Sequence, residues 1–170
     1  ELEASLPLVG DVLRFDATTT LSRNKIKAYT AHYSKNWSSD DYQSEEFKNT
    51  DISFSPSVTG SGVLNYQPLK NLGFRFTGIY VGKQFMDNTS DNKNSLDAYF
   101  VGNLSASYSF KPMAWGAIEL DFFVNNLFNS EYIANGYGVK YIDEKGNVAV
   151  YQGFYPQARR NYMARLTVKF

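Results

Sequence analysis

Few residues in this sequence have the types and spacing that catalytic or metal chemistry requires. The chain has a single histidine, His32, and no serine or cysteine constellation is identifiable around it. Because a metal site or a catalytic triad needs several partners, His32 is predicted to be a surface loop residue. Cysteine is absent, which excludes disulfide scaffolds and thiolate metal sites.

Two acidic patterns were weighed as sites. The loop Met86–Asp97 resembles a calcium-binding loop in its alternate positions, which are Asp87, Thr89, Asp91 and Lys93. An EF-hand requires glycine at the sixth position and glutamate at the twelfth, where this loop has Asn92 and Ala98. A solvated loop without a metal is therefore predicted. Glu119 and Asp121 share one strand face, and common strand patterning is favoured over a general acid/base pair. No enzyme and no cofactor are expected.

Aromatic residues are the compositional outlier, with 13 Tyr, 13 Phe and 2 Trp making up 16% of the chain. They suit strands and the aromatic girdles of a membrane barrel. Four of them lie in polar segments that would be external loops and are candidate ligand contacts: Trp37, Tyr137, Tyr141 and Tyr151. Interface anchoring and local hairpin packing are the alternatives for these four.

Length and charge limit the number of domains and the classes of partner. The 170 residues suit one domain, and the net charge of +0 gives no electrostatic reason to expect nucleic acid. Mean hydropathy is -0.39, and no run of about 18 apolar residues indicates a transmembrane helix. Alternating membrane strands average to a polar composition, so these values do not exclude a membrane barrel.

The last twelve residues, Arg159–Phe170, have strict period-2 alternation. One face would carry apolar side chains and the other polar ones: Tyr162, Ala164, Leu166, Val168 and Phe170 against Asn161, Met163, Arg165, Thr167 and Lys169. Such a strand, ending on an aromatic carboxylate, is typical of a barrel whose apolar face meets lipid and whose polar face meets a wet lumen. An amphipathic strand of a soluble sandwich is the alternative.

Five further segments are predicted to be crossing strands, with a bulge near Gly78: residues 12–22, 58–68, 72–85, 97–110 and 117–128. Residues 23–51 are predicted to be a strand extension and then a long loop. A hairpin is predicted between Tyr137 and Gln152, with its turn at Asp143–Asn147. Two buried carboxylates in a dry core would be costly, so the charged face should be wet. Its predicted lumen-facing residues are Arg14, Asp16, Arg75, Glu119, Asp121, Arg165 and Lys169.

The connections alternate between short and long, as in an up-and-down outer-membrane barrel. About six crossing strands are too few to close such a barrel, for which about eight is the known minimum. The prediction is an all-β, antiparallel, up-and-down segment of a large transmembrane β-barrel, with residues 1–170 as its C-terminal part. The chain has no initiator Met or signal peptide, and a piece of a larger protein is expected.

Two motifs carry a family resemblance. VNNLFNSEYI (124–133) and YPQARRNYMARLTVKF (155–170) resemble the C-terminal end of TonB-dependent outer-membrane receptors, of the Bacteroidetes type. The matching positions, a membrane-assembly signature, are Asn126, Leu127, Phe128, Asn129 and Tyr132, followed by Pro156, Arg159 or Arg160, and Phe170. The strands upstream are similar to those that precede these motifs in the family.

The resemblance implies a barrel of about 22 strands with a plug domain, in the bacterial cell outer membrane. The partners it implies are outer-membrane lipid, the plug and remaining strands of the same receptor, TonB through an N-terminal part, and a transported ligand. The expected function is uptake of a scarce nutrient such as an iron chelate, cobalamin or a glycan. A small OmpA-type structural or adhesive barrel and a soluble β-sandwich or lipocalin-like binding module remain as alternatives. The sequence does not name the ligand.

Overall fold

The computed structural model describes residues 1–35, 41–113 and 116–170, and every regular element in these ranges is a β-strand. The strands are β1 Leu2–Val9, β2 Leu13–Leu21, β3 Lys25–Lys35, β4 Tyr42–Asp51, β5 Val58–Leu69, β6 Leu72–Val81, β7 Gln84–Phe85, β8 Ser95–Leu96, β9 Tyr99–Met113, β10 Gly116–Asn125, β11 Ile133–Ile142, β12 Val148–Pro156 and β13 Asn161–Lys169. Among these residues no helix has the length and apolar character needed to cross a membrane. The all-β fold class is confirmed.

Seven strands form one antiparallel sheet, here called the main sheet, in the order β1-β2-β5-β6-β9-β10-β13. Each strand pairs with the next crossing strand along the chain, as an up-and-down arrangement requires. The pairing of β10 with β13 runs without interruption from Ala117↔Lys169 to Asn125↔Asn161. The predicted last strand is therefore present, and β1 and β13 lie at the two edges.

The main sheet contains one strand more than expected. Residues 1–11 had no assignment from sequence, yet Leu2–Val9 pairs with β2 through a tight turn in which Gly10 has a φ of +46°. Pro7, which lacks an amide hydrogen, lies within this strand and is tolerated because β1 is an edge strand. The described residues thus contribute seven strands to the main sheet, where about six crossing strands were predicted.

One face of the main sheet is apolar and the other is polar. The apolar face is the exposed one, whereas a soluble protein buries its apolar face. Leu120 and Phe122 are 46% and 49% exposed on the apolar face. Asp121, between them on the polar face, is only 4% exposed. A soluble sandwich would pack Leu120 and Phe122 inward, so the exposure of both residues contradicts that alternative.

The bulge predicted near Gly78 is absent. β6 stays in register with β5 from Phe74 to Val81 and with β9 from Leu72 to Val81. An extra residue at Gly78 would have to interrupt both ladders at once, because β6 is paired on its two sides. Ile79 and Val81 therefore lie on the polar face, which becomes apolar towards this end of the sheet.

The long connections lie at one end of the main sheet and include the other six strands of the described residues. A four-stranded sheet, here called the cap sheet, has the order β12-β11-β3-β4. A strand extension and then a long loop were predicted over residues 23–51. The loop was wrong, because Tyr42–Asp51 is the strand β4, which pairs with β3 in a hairpin. The second hairpin, β11–β12, is confirmed: the amide of Asp143 donates to the carbonyl of Asn147 at 2.9 Å, and Gly146 has a φ of +81°.

The two hairpins join into one sheet through a short parallel pairing. Tyr141 is opposite Ser34 and Ile142 is opposite Lys35. A small apolar core forms at this junction from buried and partly buried side chains of both hairpins: Ala31, Tyr33, Ile142, Tyr29 and Phe47. The third long connection, residues 82–98, contains β7 and β8 and is here called the clasp loop, because it lies against β11.

We predict that Gly138→Ala separates the clasp loop from β11. A Cβ atom at position 138 would overlap Oδ1 of Asn94, and Asn94 is completely buried, so the loop must move. Overpacking of this kind destabilises by about 1–3 kcal/mol. Amide hydrogen exchange in the clasp loop would measure the loss of protection.

Gly73→Ala is the matched control, since its Cβ would meet only the flexible Gln67 side chain, at 3.4 Å. Equal protection of the clasp loop in both variants would contradict the close packing of Asn94 against β11.

Candidate functional site

The cap sheet has one covered face and one open face. Gly136, Lys140 and Ile142 of β11 lie on the covered face, where the clasp loop packs. The alternate residues Tyr137 and Val139 are 42% and 45% exposed on the open face. The acidic residues of the clasp loop therefore lie against the covered face, and the candidate ligand-contact tyrosines of the hairpin lie on the open face.

The clasp loop is built around Asn94, which is 0% exposed. Its amide nitrogen donates to Oδ2 of Asp87 at 2.7 Å, and its Oδ1 accepts from Nε2 of Gln152 at 3.2 Å. Met86, Thr89 and Leu96 of the same loop are also buried. The prediction of a solvated loop was therefore wrong.

The acidic residues of the clasp loop converge on a lysine. The ammonium of Lys140 lies 2.9 Å from Oδ2 of Asp91 and 3.5 Å from Oδ2 of Asp87, and it donates to Oγ1 of Thr89 at 2.7 Å. The Lys140 side chain is 8% exposed, and a buried ammonium of this kind needs such partners. The calcium-like pattern thus binds a cation supplied by the chain itself.

Burial of Asp91 by itself raises the pKa of its carboxyl group. The hydrogen bond from Lys140 and the one from the backbone amide of Lys93 outweigh that effect, and the pKa of Asp91 lies below its ordinary value. The cap sheet and the clasp loop together are here called the cap. Asp91 is consequently ionised in the folded cap and forms a charge-assisted contact with β11.

The other residues first considered for chemistry have structural partners. His32 is exposed on β3, in a strand where a loop was predicted, and its Nδ1 lies 2.9 Å from Oγ of Ser44. Glu119 accepts from Nζ of Lys169 at 2.8 Å. Within residues 1–35, 41–113 and 116–170, no three His, Asp or Glu side chains are grouped to hold a metal ion.

Three of the four predicted ligand-contact aromatics share the open face. Tyr137 and Tyr151 have ring centroids 6.1 Å apart, and Tyr155 lies 6.4 Å from Tyr137. Tyr141 belongs to the same face by the alternation of β11. Trp37, the fourth, lies outside the described residues. The open face of the hairpin is therefore a tyrosine surface, with Tyr151 55% exposed.

The predicted lumen residues lie on the polar face of the main sheet in two networks. In the first, Asp16 accepts from Ser5, Arg14 and Asn65 at 2.6, 3.0 and 3.1 Å. Arg75 donates from Nε to Oδ1 of Asn65 at 2.9 Å. Through Asp16 and Asn65 this network links four neighbouring strands, β1, β2, β5 and β6.

The second network lies at the other edge of the sheet. Asp121 accepts from Oγ of Ser107 at 2.6 Å and from Nε of Arg165 at 2.9 Å. The Arg165 guanidinium also lies 5.7 Å from the Phe123 ring centroid. Lys169 and Glu119 complete the row. All seven predicted lumen residues thus lie on one face, and the carboxylates among them are paired.

The assembly signature forms the exit from β10. Asn126 is 2% exposed, with a φ of +50°, and its side chain donates to the carbonyls of Ser130 and Ala158 at 2.8 and 3.2 Å. Its Oδ1 accepts from the amide of Ser130 at 2.9 Å. Asn129 accepts from the amide of Arg160 at 3.1 Å, so both asparagines connect the start of the long connection to its end.

Three other members of the signature, Leu127, Phe128 and Phe170, have different surroundings. The amide of Leu127 donates to the carbonyl of Gly102 at 2.7 Å. Phe128 is 56% exposed on the apolar face, with its ring centroid 6.2 Å from Phe76 and 6.0 Å from Phe100. Phe170 follows the end of β13 and is 94% exposed.

A cavity of about 520 Å³ lies where the main sheet meets the cap, and it is here called the rim cavity. Its walls come from three stretches of the chain: Ser95–Tyr99, Glu131–Ile133, and Phe154 to Arg159. Sequence reasoning placed Tyr132 and Arg159 only in motifs and missed Asp97, Tyr99 and Phe154. No local pattern marks these residues, because the cavity exists only after the β11–β12 hairpin folds back over the clasp loop.

A family model for the TonB-dependent receptor-like β-barrel matches residues 1–127. The match covers the strands from β1 to β10 and the start of the assembly signature. The last strand and its motif lie beyond it. The match does not distinguish a Bacteroidetes type, which stays a prediction. No curated protein sequence matches the chain.

Solved structures share the fold. The ferric citrate transporter FecA, in its unliganded form, is 16% identical with a TM-score of 0.56, over 92% of this chain and 21% of that one. A variant of the ferric enterobactin receptor PfeA from Pseudomonas aeruginosa is 21% identical with a TM-score of 0.57, over 98% of this chain and 21% of that one. The chain thus spans about a fifth of the length of either protein, and identities this low show the fold alone.

We predict that acid weakens the attachment of the β11–β12 hairpin through Asp91. Because the pKa of Asp91 is lowered in the folded state, its contribution is present above the ordinary carboxyl value of about 4 and is lost as the pH falls through the folded value. Protection factors of the β11–β12 amides, corrected for intrinsic exchange, should fall over this range.

Lys140→Met should lower these protection factors at neutral pH and remove the part of their acid dependence that comes from Asp91, since its partner is gone. The part that comes from Asp143, whose pKa is lowered by the backbone amide of Asn147, should remain. Lys145→Met, an exposed position in the same hairpin, is the control. An unchanged pH profile in Lys140→Met would contradict the role of this cluster.

We predict that Asn126→Ala destabilises the folded barrel by about 3 kcal/mol, from three lost hydrogen bonds of about 1 kcal/mol each. The positive φ, which asparagine tolerates better than alanine, adds to this loss. Asn125→Ala is the control, because Asn125 loses only one exposed bond, to Asn161. Heat-modifiability on gel electrophoresis would compare the two, and equal midpoints would contradict the prediction.

Proposed function

The chain belongs to the TonB-dependent receptor β-barrel family, and from that premise we propose that it forms barrel strands of an outer-membrane receptor that imports a scarce nutrient. The family consists of receptors and transporters, not enzymes. Ferric citrate and ferric enterobactin, named for FecA and PfeA, make an iron chelate one candidate nutrient. Cobalamin and glycans are the others.

The observation that carries this proposal is the opposite character of the two faces of the main sheet. The apolar face, with Leu120 and Phe122 exposed, suits outer-membrane lipid, and the polar face, with Asp16 and Asp121 bonded, suits a wet lumen. The seven residues from Arg14 to Lys169 that were predicted to face the lumen would then line it.

The remaining partners follow from this placement. The exposed edges β1 and β13 would pair with further strands of the same receptor, because unpaired edges invite pairing. A plug domain would fill the lumen, and TonB would act on an N-terminal part. Residues 1–170 would be the C-terminal barrel segment of the complete receptor.

The cap lies at the end of the main sheet that has the long connections, which in outer-membrane barrels is the extracellular end. We assign ligand capture to this end. Tyr137, Tyr141 and Tyr151 of the open face would contact an arriving ligand, followed by energised movement of the plug inside a static barrel. Trp37 belongs by sequence to a different long connection, the one between β2 and β5.

Growth assays test the proposal. A strain that lacks the receptor should lose growth on one scarce nutrient, supplied in turn as ferric chelates, cobalamin or glycans. Complementation with the double variant Tyr137→Ala and Tyr151→Ala should lower the apparent affinity of uptake by about tenfold, with normal outer-membrane levels. Tyr66→Ala, a tyrosine of similar exposure at the opposite end of the main sheet, should leave uptake unchanged.

Two outcomes would contradict the proposal. An outer-membrane protein without any nutrient phenotype would favour a structural or adhesive barrel of the OmpA type. A detergent-free monomer in buffer would favour the soluble binding module.

A further inference from the structure

The rim cavity has the size and position of a binding site that the predicted tyrosine contacts do not include. Its volume of about 520 Å³ lies within the range of small-molecule sites, about 300–1,000 Å³. It lies beside the first residue of β9, on the covered side of the β11–β12 hairpin, and the tyrosine surface lies on the opposite side of that hairpin.

Three aromatic rings line the cavity. The centroids of Tyr99 and Tyr132 are 4.7 Å apart, with their planes inclined by 30°. Phe154 is 44% exposed, and its ring lies against Gly136, where a Cβ atom would be 3.2 Å from Cδ1 of Phe154. The glycine therefore allows the phenyl ring to lie close to the sheet, as a flat platform. The electron-rich faces of such rings attract polarised C–H groups.

The charged groups of the cavity are two carboxylates and one guanidinium, beside neutral polar groups. Asp97 and Glu131 supply acceptors, and Arg159 and Gln157 supply donors. Among the described residues that line the cavity, Arg159 is the one cation, and its guanidinium is paired with the carboxylate of Glu131. The formal charge of the lining is therefore negative.

This charge balance disfavours one of the three candidate nutrients, the iron chelate, where that chelate is anionic. An anionic ferric chelate would have to displace Glu131 from Arg159 and lie beside Asp97, and like-charge contacts of this kind are strongly unfavourable. A hydroxyl group both donates and accepts, so it can bond to Asp97 as donor and to Gln157 or Arg159 as acceptor. A saturated ring with many hydroxyls would also present C–H groups to Phe154.

We propose that the rim cavity binds a sugar ring of a neutral glycan, with Phe154 as its stacking platform and Asp97, Gln157 and Arg159 as its hydrogen-bonding groups. The proposal rests on the receptor function proposed above and names the substrate class of that receptor. It assigns to the cavity a role separate from the first contact on the tyrosine surface.

The test uses the intact receptor, purified in detergent, and an array of neutral oligosaccharides covering the common linkages of glucose, galactose, mannose and xylose. We expect binding to at least one of them. In titration calorimetry Phe154→Ala should weaken this binding by about tenfold, the loss expected for one stacking ring. Phe154→Tyr keeps the ring and should bind within about threefold of the wild type.

Phe54→Ala is the matched control, because Phe54 has the same exposed fraction of 44% and lies outside the cavity. Its affinity should equal that of the wild type. Heat-modifiability would verify that each variant is folded before its affinity is compared.

The proposal is overturned if no neutral oligosaccharide binds at millimolar concentration. It is also overturned if ferric citrate binds the wild type and Phe154→Ala equally, and in that case the receptor function survives and only the substrate class fails. Binding of a glycan that Phe154→Ala leaves unchanged overturns the site. Failure of the receptor function itself would appear separately, as normal growth of the deletion strain on every nutrient.

Discussion

Each strand of the main sheet has to satisfy two environments at once, because successive side chains point to opposite faces. On one face the apolar side chains remain exposed, as at Leu120 and Phe122. On the other face, Asp121 is withdrawn from water and needs both Ser107 and Arg165 to compensate for its lost hydration. The hydrogen-bonded networks are therefore on the polar face, while the contacts on the apolar face are between aromatic rings.

The cap depends on the ends of these strands. Its two hairpins belong to connections on either side of the clasp loop, and they meet because the main sheet sets the distance between their bases. Asn94 and Lys140 then fill the space between loop and hairpin with polar atoms that are all bonded. A small apolar core around Tyr33 and Ile142 adds to this attachment. Hydrogen bonds and ion pairs thus hold the clasp loop against the hairpin, a role that an apolar core has in a soluble domain.

The parts of the fold that could be predicted from sequence are those with a local signature. β2, β10 and β13 alternate strictly, so their faces, including the partners Asp121 and Arg165, followed from the period alone. The turn at Asp143–Asn147 followed from its residues. The hairpin β3–β4 was missed because its many charged and mostly exposed residues resemble a loop.

The candidate sites were predictable only in part for the same reason. Placing Tyr137, Tyr141 and Tyr151 on one face required only the alternation of two adjacent strands. The pairing of Lys140 with Asp87 and the contact of Tyr99 with Tyr132 join segments that are distant in sequence. No periodicity records such contacts, because they arise from the way the hairpins lean against the clasp loop.

The parallel pairing of β3 with β11 has a consequence for the order of folding. It consists of two residue pairs, Tyr141↔Ser34 and Ile142↔Lys35, which lie far apart in the sequence. Closing so large a loop for so few bonds is entropically unfavourable in an unfolded chain. Alignment of β5, β6, β9 and β10, which lie between the two hairpins in the main sheet, lowers this entropic cost. We therefore expect the two hairpins to join late in assembly. Resistance of the Ser34–Tyr141 junction to proteases would report that the main sheet beneath it has formed.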